Sequence, residues 1–400
     1  MLDVSAALEI VLQFARPPAP TSEVLGFFAL GRTIAEDLAA DIDSPPFTKA
    51  LMDGYALRTA DLVDGRGVLK IVDELPAGKS PTVPVRAGEA IRIFTGAMMP
   101  EGADAVVMQE RCERVGDAVH VADGGLTPGK NVLPRGAEMA TGEVVVHAGT
   151  RITPALLGLI AGIGCKYARL YPIYPRPCVG VLATGNELVG AGQVPVAGQI
   201  RNTNGPMLQA QAARIGAIPY DFGIGPDDEA ALKQSVHFAL QSSDVLLLAG
   251  GVSVGDYDFV PNVLQSLGVE IHFHKVRMKP GKPLLFGTLG SKLVFGLPGN
   301  PGSAFVGFEL FVAPALRAML GHADPGPRTR ELSLTNALKA NHDRPTYHPA
   351  ITVDDHVTAL PWIGSADLRS LVRVNAFLVL PSGPIEYAAG ATATTILLDG

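Results

Sequence analysis

Between Cys178 and Ser303, short aliphatic runs alternate with stretches of helical spacing, and few folds tolerate that order. CVGVLAT (178–184), AIPYDFGI (217–224), DVLLLAG (244–250) and KLVFGL (292–297) read as strands. GPMLQAQAARIG (205–216), DDEAALKQSVHFALQ (227–241) and DFVPNVLQSLG (258–268) read as helical, and another helix follows Pro301. Strands that are apolar almost throughout belong in a parallel sheet covered on both faces. The expectation is a central doubly wound α/β domain over residues 171–322. Proline-rich YPIYPRP (171–177) and GHADPGPRTR (321–330) read as linkers beside it.

The flanking sequence has other periods. VSAALEIVLQFA (4–15) and TSEVLGFFALGRTIAEDL (21–38) read as helices, the second capped by Thr21 or Ser22. TRITPALLGLIAGIG (150–164) reads as a third, capped by Thr153 with Pro154 in its first turn. Short β-type runs such as GVLKIVDEL, EAIRIFTG, DAVVMQE and DAVHV fill the interval between the second and third. The expected layout is a multidomain α/β and β chain. A discontinuous helical N-terminal domain (1–44 plus 138–170) would be interrupted by a small β domain (45–137). A second small β domain would close the chain (323–400), from runs such as LVRVNAFLVLP and ATATTILL.

Composition narrows the class. At 400 residues the chain exceeds one ordinary core, and 47% hydrophobic with 18% charged residues describes a folded protein. A net charge of −7 argues against a nucleic-acid partner, although a local pocket or metal ion can still favour an anion. Cys112, Cys165 and Cys178 form no CxxC pair and suggest reduced thiols. No basic leader and no apolar run of membrane-spanning length stands out, so a cytoplasmic location without membrane association is expected.

Ligands of open α/β sheets bind beyond the carboxyl ends of the strands. Here those ends carry Thr184-Gly185-Asn186-Glu187, Gly225-Pro226-Asp227-Asp228, Gly250-Gly251-Val252-Ser253-Val254-Gly255-Asp256-Tyr257-Asp258 and Pro298-Gly299-Asn300-Pro301-Gly302-Ser303. Gly250, Gly251 and Gly255 would let backbone N–H groups approach an anion. Pro298, Gly299, Asn300, Pro301 and Ser303 would form an oxyanion seat at a helix start. Lys279 and Lys282, stiffened by Pro280-Gly281 and Pro283, would point at negative charge. Carboxylates Glu187, Asp228, Asp256 and Asp258 would repel a phosphate unless a hard cation intervenes, and Mg²⁺ takes such oxygen ligands. The residues alone therefore indicate a phosphorylated small molecule bound with Mg²⁺. Lys49, Asp53, Tyr55 and Arg58 offer further ligand-directed groups in one short loop.

The ordered series PPF…MDGYA, TGAMMPEGADAVV, ATGNEL, NTNGPML, GGVSVGDYD, MKPGKP and LPGNPGS, spread over residues 45–303, closely resembles the MoeA and gephyrin E-domain family of molybdopterin molybdenumtransferases. The resemblance implies a molybdopterin-binding type of α/β domain. It implies Mg²⁺-dependent hydrolysis of adenylyl-molybdopterin with insertion of molybdate, giving AMP and the molybdenum-loaded pterin. It further implies a homodimer whose second subunit completes the site, with Asp53 acting in trans, and a molybdopterin adenylyltransferase as a possible partner. Carried over by position, Glu187 and Asp258 would hold the metal, with Asp228 beside the nucleotide phosphates. Lys279 and Lys282 would neutralise oxyanions, Asn202 and Asn204 would touch pterin or phosphate, and Ser253 would belong to the glycine loop. Departures include Glu138 where the family commonly has Asp, Asn186 within TGNEL, and the C-terminal segments NHDRPTYHP and Gly364-Ser365-Ala366-Asp367. The alternatives are a gephyrin-type scaffold, for which no fused linker is visible, and the adenylyltransferase itself, which normally lacks the MDGYA region.

Overall fold

The computed structural model describes residues 1–24, 26–164, 170–252 and 259–398. The chain forms two compact units, one of residues 1–35, 148–153 and 170–400, the other of 36–147 and 154–169.

The larger unit is built on a six-stranded sheet. Its strands in chain order are β1 (Cys178–Thr184), β2 (Ile218–Gly225), β3 (Val245–Ala249), β4 (Glu270–Phe273), β5 (Leu285–Leu289) and β6 (Lys292–Leu297). They lie side by side as β2-β1-β3-β6-β5-β4. β1 pairs in parallel with β2 and β3, and β3 in parallel with β6. β5 runs antiparallel to both neighbours, which differs from the all-parallel expectation. The cause is local: only Gly290-Ser291 joins β5 to β6, and a two-residue connection permits a hairpin but no crossover. Helices Asn204–Ile215, Glu229–Ser242 and Val260–Ser266 follow β1, β2 and β3. Leu182, Leu246, Leu248 and Val294 pack with two of these helices in one core. Val179, Val181, Leu247 and Phe295 belong to the opposite core, with Phe308, Phe311 and Leu316.

Pro301–Met319 is a nineteen-residue helix with a π-helical turn at Phe308–Val312. It is long and apolar enough to cross a membrane, yet 89% of its apolar window is buried inside the protein. The sequence reading placed a helix after Pro301 without assigning its end. Glu309, only 3% exposed, lies in the π turn and accepts hydrogen bonds from Gln211 Nε2 (2.6 Å) and Arg214 Nη2. Burial pushes its carboxyl upward and the Arg214 charge opposes this. Glu309→Leu removes the carboxylate facing Arg214, whose side chain is 26% exposed. The expected loss is about 3 kcal/mol, the lower part of the range for breaking a buried pair, measurable by urea unfolding.

The C-terminal part forms a closed five-stranded barrel of Arg328–Leu334, His356–Ala359, Thr346–Val353, Ala376–Leu380 and Thr392–Leu397. A two-stranded ribbon, Leu338–His342 with Gly383–Tyr387, accompanies it.

The N-terminal region departs from expectation. Val4–Phe14 is the expected helix, burying Ala7 and Val11 in the larger core. No helix spans 21–38 among the described residues: Thr21–Val24 is a strand antiparallel to Leu170–Ile173, so the supposed linker 171–177 begins as its partner strand. Residues 31–34 exchange backbone hydrogen bonds with 149–152. Pro20 and Gly26 bracket the first of these segments, leaving too few residues for a stable helical turn between them. Where a small inserted β domain was expected, the smaller unit holds a six-stranded β sheet that includes Gly54–Leu57, Arg66–Leu75 and Glu89–Ile93. It also contains helix Pro154–Gly162, assigned from sequence to the N-terminal domain.

Candidate functional site

The strand ends β1, β3 and β6 converge on a cleft of about 1020 Å³. β1 ends at Thr184, and Gly185 follows at φ +146°, a conformation glycine adopts freely. Glu187, Asn202 and Asn204 line the cleft, as do Gly250, Gly251, Pro298, Gly299, Asn300 and Pro301. Eight of the candidate site residues therefore surround one space, together with Glu187. Asn202 Oδ1 accepts from the Gly205 N–H at 2.9 Å, capping the start of helix Asn204–Ile215. Asn204 is 7% exposed and donates from Nδ2 to the Gly299 carbonyl at 2.8 Å, tying that helix to the β6 turn. Its Oδ1, like Thr184 Oγ1, is buried without a hydrogen-bond partner among the described residues.

The Asp227-Asp228 pair is resolved by geometry. Asp228 is exposed and its Oδ1 caps helix Glu229–Ser242 by accepting from the Ala231 N–H at 2.9 Å. Asp227 is the member that lines the cleft, and it exchanges hydrogen bonds with Asn186 at 2.9 and 3.2 Å. A helix N-cap carboxylate turns back onto its own first turn, so the residue before it is the one left to face outward. That rule would have selected Asp227 from sequence. Ser253, Gly255 and Asp258 lie outside the described residues, as does Asp256.

Two backbone amides offered for anion binding are already used. The Gly250 N–H donates to the Leu297 carbonyl at 3.0 Å, and the Gly302 N–H to the Ser365 carbonyl at 2.8 Å. The turn Pro298–Ser303 is thus a joint between sheet and barrel rather than a bare helix terminus. Asn300 Nδ2 reinforces the joint by donating to Ser365 Oγ at 3.1 Å.

Beyond this joint lies a second cavity of about 750 Å³ that shares Pro283, Pro298 and Asn300 with the first. Lys279, Lys282 and Ser303 line it from the α/β side. Lys339, His342, Arg344, His348, Trp362 and Ser365 line it from the C-terminal side. Lys339 is paired with Glu386, and Arg344 Nε lies 3.4 Å from Asp343. Lys279 and Lys282 have no carboxylate partner among the described residues, and no described lining residue is acidic. Lys279 is fixed through its backbone: its N–H donates to Pro345 O at 2.9 Å and its carbonyl accepts from Tyr347 N at 2.8 Å. Sequence reasoning missed the barrel's share of this cavity. The clustering of cations and histidines in KANHDRPTYH was the available signal.

Asp53 belongs to the smaller unit. Its Oδ1 accepts from the Thr95 N–H at 2.8 Å and the Thr95 hydroxyl at 2.7 Å, and those bonds hold its carboxyl below the usual range. Glu138 accepts from the Ser44 hydroxyl at 2.6 Å and lies 3.8 Å from Lys49 Nζ.

Among the described residues no three metal-ligating side chains gather. The first cavity does offer the carboxylates Glu187 and Asp227, a donor set that suits Mg²⁺, which needs one or two carboxylates beside phosphate and water oxygens.

Residues 2–164 match the MoeA N-terminal region (domain I and II), 180–318 a probable molybdopterin binding domain, and 331–398 the MoeA C-terminal region (domain IV). The chain is 35% identical over 382 residues to the molybdopterin molybdenumtransferase of Bacillus subtilis, covering 92% of this chain and 88% of the relative. It is 34% identical over 394 residues to that of Nostoc, covering 94% and 89%. The crystal structure of the molybdopterin biosynthesis MoeA protein from Pyrococcus horikoshii superposes with a TM-score of 0.84 at 30% identity, covering 99% of this chain and 100% of that one. End to end, in sequence and in fold, this chain belongs to the MoeA family of molybdopterin molybdenumtransferases.

Proposed function

We propose that this chain releases AMP from adenylyl-molybdopterin and inserts molybdate into the pterin. The observation carrying this reading is the pair of adjoining cavities with different linings. One presents Glu187, Asp227 and buried polar atoms, the other uncompensated lysines, and they meet at Pro298–Asn300. A pyrophosphate-linked pterin needs a roomy polar cleft, and about 1020 Å³ suits a ligand of that size. A tetrahedral dianion needs cations and N–H donors, which the second cavity supplies. Glu187 and Asp227 would hold Mg²⁺, which when bound neutralises phosphate charge. Asn204 braces the cleft wall by tying its helix to Gly299, and Lys279 and Lys282 retain the oxyanion until the dithiolene reaches it. Names of the relatives support this assignment. The reading includes a homodimer in which Asp53 of one copy serves the cavities of the other, and a soluble cytoplasmic protein.

The test supplies adenylyl-molybdopterin, sodium molybdate and Mg²⁺, then follows AMP by chromatography and molybdenum on the pterin by mass spectrometry. Molybdate-dependent release of AMP together with loaded pterin is expected. A folded protein that yields neither, or that yields AMP without ever loading the pterin, would sink the assignment.

A further inference from the structure

We infer that Trp362 and His342 supply neutral N–H donors to the oxyanion in the second cavity and set a salt-insensitive share of its affinity. This rests on reading that cavity as the oxyanion site.

The observation is a set of polar atoms with nothing to bond. Trp362 and His342 both line the cavity, and Trp362 Nε1 and both ring nitrogens of His342 are buried with no hydrogen-bond partner among the described residues. An indole N–H can only donate, so it cannot be satisfied by rearranging its own role. Native interiors rarely leave such groups unmatched, and a ligand that accepts from them removes the mismatch.

The donors are also held in place. His348 meets the Trp362 ring edge-on, with centroids 5.5 Å apart and planes at 88°. His348 is itself tethered through Nε2 to the Leu360 carbonyl at 2.9 Å. Ser365, three residues after Trp362, is clamped by Gly302 and Asn300, so the segment bearing the indole is anchored to the β6 turn. His342 ends the strand Leu338–His342. Burial, with Lys279 and His348 nearby, lowers its pKa below the ordinary imidazole value. A neutral imidazole retains one N–H donor and one acceptor, which lets it serve the anion without adding a fifth cation beside Lys279, Lys282, Lys339 and Arg344.

Cations and neutral donors differ in a measurable way. Attraction to partly exposed lysines is screened by salt, whereas a short N–H hydrogen bond in a buried wall is not. Trp362 is the only tryptophan in the chain, so intrinsic tryptophan fluorescence reports on this cavity alone.

The experiment titrates the full-length protein with sodium molybdate, by fluorescence for the parent and by calorimetry for all variants, at several salt concentrations. Trp362→Phe is expected to raise Kd about tenfold and His342→Phe about fivefold, the range for one lost N–H donor. Both should leave the slope of log Kd against log salt unchanged, and His342→Gln, which keeps a donor, should recover most of the affinity. Lys282→Met should flatten that slope. Variants with Kd within twofold of the parent, in protein whose circular dichroism is unchanged, would overturn the proposal. If the parent binds molybdate but the lysine and the Trp362 and His342 variants all bind alike, the oxyanion-site reading fails and this inference with it. If only the lysine variant weakens, the site reading stands and this inference alone fails.

Discussion

Replacing Lys279 and Lys282 together by methionine will lower the molybdate-dependent rate by two to three orders of magnitude while leaving the fold intact. Lys279 is part-buried and Lys282 exposed, so each ammonium removed from beside a dianion costs ~1.5–2 kcal/mol, well below the ideal close-contact figure because solvent screens both. Stability should hardly change, since what anchors Lys279 is its backbone pairing with Pro345 and Tyr347, which methionine preserves. Methionine also keeps most of the apolar stem, so packing loss is small. The measurements are steady-state AMP release at saturating and limiting molybdate, with a thermal melt on the same sample. A rate within threefold of the parent at limiting molybdate would contradict the assigned role.

Gly250→Ala will damage the other cavity through the backbone. Gly250 sits at φ +106°, and a Cβ there would lie 2.5 Å from the Thr184 carbonyl oxygen. The clash is between two sheet strands, so no flexible side chain can yield. An unfavourable φ and an overpacked contact together cost about 3 kcal/mol or more. The β1 and β3 ends would separate, and the cleft that depends on them would open. Gly299→Ala, in the adjacent loop after β6, is the matched control. Its Cβ would meet only Gly250 Cα, at 3.8 Å, an ordinary contact. Chemical unfolding of both variants should show a large loss for Gly250→Ala and little for Gly299→Ala. Equal effects would mean the close approach at Thr184 is not what requires glycine.

The central domain was legible because its signals are local. Runs such as Val245–Ala249, apolar at every position, can be little else than strands of a covered sheet, and the rim loops follow from topology. The β5 strand was missed because Leu285–Leu289 was assigned to no element, and the Gly290-Ser291 connection is what marks the hairpin. The segment Thr21–Val24 misled for the converse reason. Its helical spacing is genuine, but its pairing partner lies near residue 170, and a contact that distant leaves no periodic mark.

The site was legible in the same uneven way. Residues at strand ends, such as Glu187 and Gly250, were found because position in the fold predicts them, whereas Asn204, at a helix start, came from the family resemblance alone. Asp228 was preferred to Asp227 because the cap geometry was not carried through to the side chain that remains free. The backbone amides of Gly250 and Gly302 were not free, since each is bonded across to another segment of the fold. Trp362 and the way Lys339, His342 and Arg344 meet Lys279 were missed for a plainer reason. Their approach to Lys279 depends on how a barrel some sixty residues further along docks on the sheet, and spacing in sequence does not encode that.

The most direct measurement is where molybdenum sits. Crystals soaked in sodium molybdate, with diffraction recorded at the molybdenum absorption edge, locate the metal without reference to any assumed chemistry. The two-cavity account predicts an anomalous peak in the 750 Å³ cavity, between Lys279 and Lys282 and within hydrogen-bond reach of the Trp362 indole. A peak in the 1020 Å³ cleft beside Glu187 and Asp227 instead, with the lysine cavity holding none, would contradict it.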